Sequence, residues 1–233
     1  MTDQATADRE RVYELRHLDT TPSADAAPGP AVSFAEAVPA ERLEAAAAAL
    51  TAHGFAVEIL DDAAAARRRV QDLLPAGATV FTSASETLRL SGIDADINAG
   101  TRYVPAKPRV LAMDRGTAAD EIRRLISVPD VVVGSVAAVT ETGSIVVASG
   151  SGSQVPAYAG GAGRAVWVVG AQKVVPDLAT ALRRIEEHAL PLESVRARAA
   201  YGRPSAVNSL LVLNAEQRPG RATVLLLREA VGY

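Results

Sequence analysis

Three runs in this chain, "DVVVGS" at 130–135, "AVWVVG" at 165–170 and "ATVLLLRE" at 222–229, are apolar at almost every position. A strand with one solvated face alternates polar and apolar residues. A strand without that alternation must be covered on both sides, as in a parallel sheet between layers of helices. The intervening segments supply the helices. In "AERLEAAAAALTAHG" Leu43 and Leu50 share a face and Gly54 is a stop. "DDAAAARRRVQDLL" has Asp61 or Asp62 as N-cap and Pro75 beyond its end. "SASETLRLSGI" begins as a helix, and "AADEIRRLI" places Ile122, Leu125 and Ile126 on one side. "PDLATALRRIEEHA" and "PLESVRARAAY" complete the set, with "FAVEIL", "ATVFTS" and "SLLVLN" as further strands. Only "VAAVT" and "SIVVAS" depart from the parallel pattern. The short link "TETG" between them predicts an antiparallel hairpin inserted in an α/β fold. The expectation is a Rossmann-like, mostly parallel sheet with helices on both faces.

Residues 1–32 do not share this pattern. "DTTPSADAAPGPA" is rich in Pro, Ala, Ser and Asp and has no hydrophobic period, so a flexible tail is expected there. "DRERVYELRHL" just before it could form a marginal helix. Residues 33–233 are expected to form one α/β domain.

The net charge of −3 offers no general attraction to nucleic acid or anionic membranes. No apolar run approaches the roughly 20 residues of a spanning helix. The charged start "MTDQATADRERVYELRH" has no secretory pattern, which points to the cytoplasm. With no cysteine, the chain has no thiolate for a disulfide, a zinc site, a nucleophile or an iron–sulfur cluster. His17, His53 and His188 show no ligand spacing, so neither a metal nor another cofactor is expected. His53 precedes Gly54 and His188 ends a charged run; both are expected near helix C-termini, where partial positive charge is favourable.

Four places carry candidate chemistry. In "TVFTSASETLRLSG", Ser83, Ser85 and Thr87 stand at a helix start whose N–H groups could cradle a carboxylate or phosphate. The Ser83–Glu86 spacing equally makes a capping box that would satisfy those donors internally. The "SGSGSQ" loop, with Gly150, Gly152 and Ser153, is open enough for close approach to a ligand. Val155 holds the place of a third fingerprint glycine, so the loop is not a dinucleotide motif. Gly160 and Gly161 are expected where a helix ends against the next strand. At the hairpin tip, Glu141 has Thr140, Thr142 and Gly143 beside it and could serve as base or nucleophile, or simply be a solvated turn residue. Tyr103, Lys107, Arg109, Arg115, Lys173, Arg196 and Arg198 are candidates for holding an anion or are ordinary surface groups. The tip, the glycine loop and the Ser83–Thr87 helix start are expected to converge at the carboxyl ends of the parallel strands, where open α/β sheets bind ligands.

From residue 79 onward the chain resembles the LUD-domain proteins, the lactate-utilisation LutC/YkgG-like group. The "TETG" turn, "VVGAQKVVPDL", "RARAAYG" and the closing "NSLLVLNAEQRPGRATVLLLREAVGY" carry the likeness. It implies the fold shared by glucosamine-6-phosphate deaminase, ribose-5-phosphate isomerase and the CoA-transferases. It also implies a non-redox accessory role in using lactate or a related organic acid. Partners would be a small anionic metabolite, or iron–sulfur lactate-oxidation subunits, with a homo-oligomer an option. The alternative is an enzyme of the CoA-transferase or sugar-phosphate isomerase type. Some CoA-transferases use a glutamate ahead of a glycine as nucleophile, and Glu141 with Gly143 resembles that arrangement, although Thr142 intervenes.

Overall fold

The computed structural model describes residues 33–233; the expected tail and its short helix lie outside the described residues. Among the described residues, ten strands form two sheets. The larger contains β1 (Ala56–Leu60), β2 (Thr79–Thr82), β3 (Val104–Pro105), β4 (Val131–Gly134), β7 (Arg164–Gly170) and β10 (Ala222–Leu227). Their order is β1-β10-β7-β4-β2-β3, with every pair parallel. The all-apolar runs thus occupy interior positions, and their alternate residues feed two cores. Ala165, Trp167 and Val169 of β7 point into one, Val166 and Val168 into the other. The second core is closed by α2 (Ala63–Leu73), α3 (Glu86–Leu90) and α4 (Ile93–Ala99) through Val70, Leu88 and Ile97.

The first core is closed by α1 (Ala40–Ala52), through Leu43, Ala46 and Leu50, and by a second sheet. Two further helices, α5 (Ala106–Ala112) and α6 (Ala119–Ser127), flank the β2–β3 side. The hairpin, β5 (Ala138–Thr140) and β6 (Ile145–Ser149), does not enter the parallel sheet. It builds the smaller sheet with β8 (Val174–Val175) and β9 (Ser209–Leu213), in the order β8-β5-β6-β9. Val139, Ile145 and Val147 face the first core, whereas Ala138 and Val146 face a third under α7 (Leu178–Arg184). The strand-like run "SLLVLN" is therefore the antiparallel neighbour of β6, while "ATVLLLRE" lies between β1 and β7.

Local signals mostly act as the residues suggest. Asp62 caps α2 by accepting the Ala65 N–H at 2.7 Å, and Asp177 caps α7 through the Thr180 N–H at 2.8 Å. The Ser83–Glu86 capping box is not made. Ser85 is the N-cap of α3, accepting from the Leu88 N–H at 3.3 Å, and Glu86 instead pairs with Arg89. His53 is the C-cap of α1, as its neighbour Gly54 suggests. His188 is not at a helix end. A π-turn, Ile185–Ala189, joins α7 to α8 (Leu190–Tyr201) without a break, just ahead of Pro191, which cannot donate the i→i−4 bond of a regular α-helix. Gly160 and Gly161 do close a π-turn, Ala157–Gly161, before β7; a Cβ on Gly161 would strike the Ser127 carbonyl.

Candidate functional site

The chain runs from β2 outward to β3, returns to β4 and proceeds through β7 to β10. The winding direction therefore reverses between β2 and β4, and the carboxyl ends of those strands flank the crevice where this sheet class places ligands. Ser83 follows the last residue of β2, Ser135 the last of β4, and Lys173 lies three residues past β7. All three meet there.

Lys173 is fully buried at 1% exposure. Its Nζ donates to Thr87 Oγ1 at 2.9 Å, Ser135 Oγ at 3.0 Å and the Val136 carbonyl at 3.3 Å. The hydroxyl hydrogens are committed elsewhere: Ser135 donates to the Val168 carbonyl at 2.7 Å, and Thr87 to the Val231 carbonyl at 3.2 Å. Nζ must therefore use all three of its hydrogens, which holds the ammonium form. Burial, and then the charge of Arg184, push the other way and set the Lys173 pKa well below the ordinary lysine value. Arg184 has no exposure at all and, among the described residues, donates only to the carbonyls of Gln172, Ala137 and Phe34. Burial lowers its pKa to about 10. Burial also lowers the pKa of His188, and the charges of Arg184 and Lys173 add to the effect. Among the described residues, no carboxylate is hydrogen-bonded or ion-paired to Lys173 or Arg184.

A second network joins the first at Ser135. The Tyr158 hydroxyl lies 3.0 Å from Ser83 Oγ and donates to the Ser135 carbonyl at 3.2 Å. Burial raises its pKa to about 12. Gly134 makes this approach feasible: a Cβ there would overlap the Tyr158 hydroxyl and come within 2.9 Å of Ser83 Oγ. Residues 228–233, running on from β10, form a strap across the crevice. Gln172 holds the strap by donating from Nε2 to the Val231 and Gly232 carbonyls at 3.0 and 2.8 Å. Its Oε1 accepts the Val231 N–H at 3.3 Å. The Tyr233 hydroxyl then donates to Glu193 at 2.6 Å.

The profile of the LUD domain matches residues 43–227, most of the chain. This protein belongs to the LUD-domain family. No curated protein matches it. Among solved structures, a DUF162 family protein from Deinococcus radiodurans, determined at 1.70 Å, is similar with a TM-score of 0.45 and 15% identity. The alignment covers 81% of this chain and 97% of that one.

Within this LUD domain the structure brings together Ser83, Thr87 and Lys173 of the sequence-predicted residues, and sets Ser85 beside them as the cap of α3. The "TETG" tip does not join them. Glu141 pairs with Arg42 of α1 at 2.5 Å, and its N–H donates to the Val175 carbonyl. Thr140 and Thr142 bond to each other at 2.9 Å. Gly143 lies against Ala49 and His53, its carbonyl 2.9 Å from the His53 ring. His53 stands just before β1, so the tip reaches back toward the amino ends of the parallel strands. The expected convergence fails there because β5 reverses direction after β4.

The glycine loop is bound to the smaller sheet. Asn208 Nδ2 donates to the Gly150 carbonyl at 2.7 Å, Gly152 N–H donates to Ser149 Oγ, and Ser153 contacts Ser151 and Gln154. Lys107, Arg109 and Arg196 are ion-paired with Asp94, Glu121 and Glu193. Tyr103 is buried, its hydroxyl without a partner among the described residues, beside a cavity of about 10 Å³ lined by Arg67, Val70, Asp96 and others between α2 and α4. Among the described residues, no group of three or more His, Cys, Asp or Glu side chains could hold a metal ion, and no helix is long and apolar enough to cross a membrane.

Sequence reasoning did not single out Ser135, Tyr158, Gln172 or Arg184. For Ser135 a signal existed: a serine directly after an all-apolar strand in a parallel sheet stands at a carboxyl end. Arg184, inside "ALRRIEE", looks like any helix-surface arginine.

Proposed function

We propose that this LUD-domain protein binds a small carboxylate of lactate or related organic-acid utilisation in the crevice between the ends of β2 and β4. One observation carries the reading. Lys173 and Arg184 are buried side by side, with His188 near them, and the described residues provide only neutral oxygens as hydrogen-bond partners for the two cations. Uncompensated buried charge is costly, and a bound anion would offset it. Ser83, Thr87 and Ser135 line the same crevice, and their hydroxyls would turn from Tyr158 and from the Val231 and Val168 carbonyls to meet such a ligand. Without thiolates the chain carries no cluster of its own, so electrons would pass through a separate iron–sulfur subunit, with this protein in an accessory role. Glu141, occupied by Arg42, lies outside the proposed site.

The test is a thermal-shift and calorimetric titration with L-lactate, pyruvate and inorganic phosphate. A ligand at one hundred times its Kd adds about 2.7 kcal/mol, a rise of roughly 5–10 °C in a domain of this size. Lys173→Met should abolish the shift, and Glu141→Gln should leave it intact. If none of the three anions raises the melting temperature of the wild-type protein, the carboxylate-binding reading falls.

A further inference from the structure

Of the chain's 24 basic residues only two, Lys107 and Lys173, are lysines; the other 22 are arginines. Lys107 is a partly exposed partner of Asp94. Lys173 is the one whose surroundings use what lysine has and arginine lacks: a primary amine that can lose its proton and act as a nucleophile. We propose that Lys173 forms an imine with a small 2-oxo acid, and that the 228–233 strap must lift for it to do so. This deepens the carboxylate-binding reading and rests on it, Arg184 supplying the positive field for the acid group.

Geometry supplies the parts. Nζ lies at the carboxyl end of the sheet, next to a second cation, with hydroxyls of Thr87 and Ser135 at 2.9 and 3.0 Å. A neighbouring cation and a desolvated site both favour the neutral, nucleophilic amine. With the strap down, Thr87 spends its hydrogen on Val231 and so demands a hydrogen from Nζ. When the strap lifts, the Val231 carbonyl leaves, the Thr87 hydroxyl turns to donate toward Nζ, and one of the three acceptors that hold the proton on Lys173 disappears. The neutral amine then attacks the carbonyl carbon of the oxo acid. The carbonyl oxygen takes a proton through the surrounding hydroxyls, giving a carbinolamine. Loss of one water leaves the C=N bond, with no change in oxidation state. Gln172, holding both carbonyls and an N–H of the strap, is the latch.

The experiment incubates the full chain with pyruvate, then with borohydride, which reduces an imine to a stable secondary amine. Intact-mass analysis and peptide mapping follow. The expected product gains the mass of pyruvate less one oxygen atom, on the peptide holding Lys173, and Gln172→Leu forms it several-fold faster. The wild-type protein alone decides the chemistry, so a poorly folded variant does not rescue it. An adduct confined to Lys107 or the amino terminus, or no adduct, overturns the proposal. An equal trapping rate in well-folded Gln172→Leu overturns the latch. L-lactate, which has no carbonyl to condense, separates the two readings: lactate binding without pyruvate trapping sinks the imine and leaves the carboxylate site standing, whereas failure of both removes the two together.

Discussion

Replacing Lys173 by Met should barely change stability at neutral pH, and the pH dependence of that change should reveal the buried charge. The substitution nearly conserves volume, so no large cavity opens. Three hydrogen bonds from Nζ are lost, but Thr87 and Ser135 keep their bonds to the Val231 and Val168 carbonyls, so neither hydroxyl is orphaned. At about 0.5–1.5 kcal/mol net for each bond, the loss amounts to about 1.5–4.5 kcal/mol. Against it stands the penalty of the buried charge, about 1.4 kcal/mol for every unit by which the folded-state pKa lies below the unfolded one.

Burial and Arg184 lower the folded pKa of Lys173 well below 10.5. Between that lowered value and 10.5 the unfolded chain binds the extra proton, so stability rises with pH across that window and levels off above it. The Met variant lacks this slope. Urea unfolding of both proteins from about pH 6 to pH 9 measures the difference. The variant should be within about 1 kcal/mol of wild type at neutral pH and should fall behind as pH rises. A loss above about 3 kcal/mol, constant with pH, would refute the reasoning and make Lys173 a well-compensated structural donor.

Other substitutions probe parts of the fold outside the crevice. Arg221 is buried and holds Glu216 at 2.6 Å together with the carbonyls of Ala157, Tyr158 and Ala162, so Glu216→Gln should cost about 3 kcal/mol in urea unfolding. Burial pushes the Glu216 carboxyl up, but the hydrogen bonds and charges of Arg218 and Arg221 together outweigh it and hold the group below its ordinary value; the stability it adds is present above about pH 4.5 and lost as pH falls through the lowered value, so the acid limb of the wild-type profile should flatten in this variant. Gly143 has φ +87° and no room for a Cβ, which would lie 2.8 Å from Ala49 and from the His53 ring, so Gly143→Ala should cost about 2 kcal/mol or more and lower the melting temperature. Ser85→Ala removes the cap of a five-residue helix and should cost about 1 kcal/mol by the same measurement.

The sequence by itself determined the sheet. Runs such as "VVV" and "AVWVVG" have no polar face, so they had to lie inside a parallel layer, and the helical periods between them had to cover it. Caps at Asp62 and Asp177 are equally local, because they depend only on residues within one turn. The family, too, was legible in the "TETG", "GAQK" and "RARAAYG" motifs. Strand order was not. Which edge takes the hairpin depends on where β8 and β9 become free to pair, and nothing in "SIVVAS" says that its partner lies some sixty residues on.

The site divides along the same line. Ser83 and Thr87 could be placed at a strand end from local pattern, whereas Lys173 and Arg184 become buried only because three separate segments close over them. Charge in a helix or a loop looks solvated until tertiary structure removes the water. Glu141 shows the converse: a carboxylate beside a glycine looked poised for chemistry, and the reversal of β5 laid it against Arg42 of α1. Periodicity is a property of neighbours along the chain. Desolvation is a property of neighbours in space, and here it is desolvation that singles out Lys173.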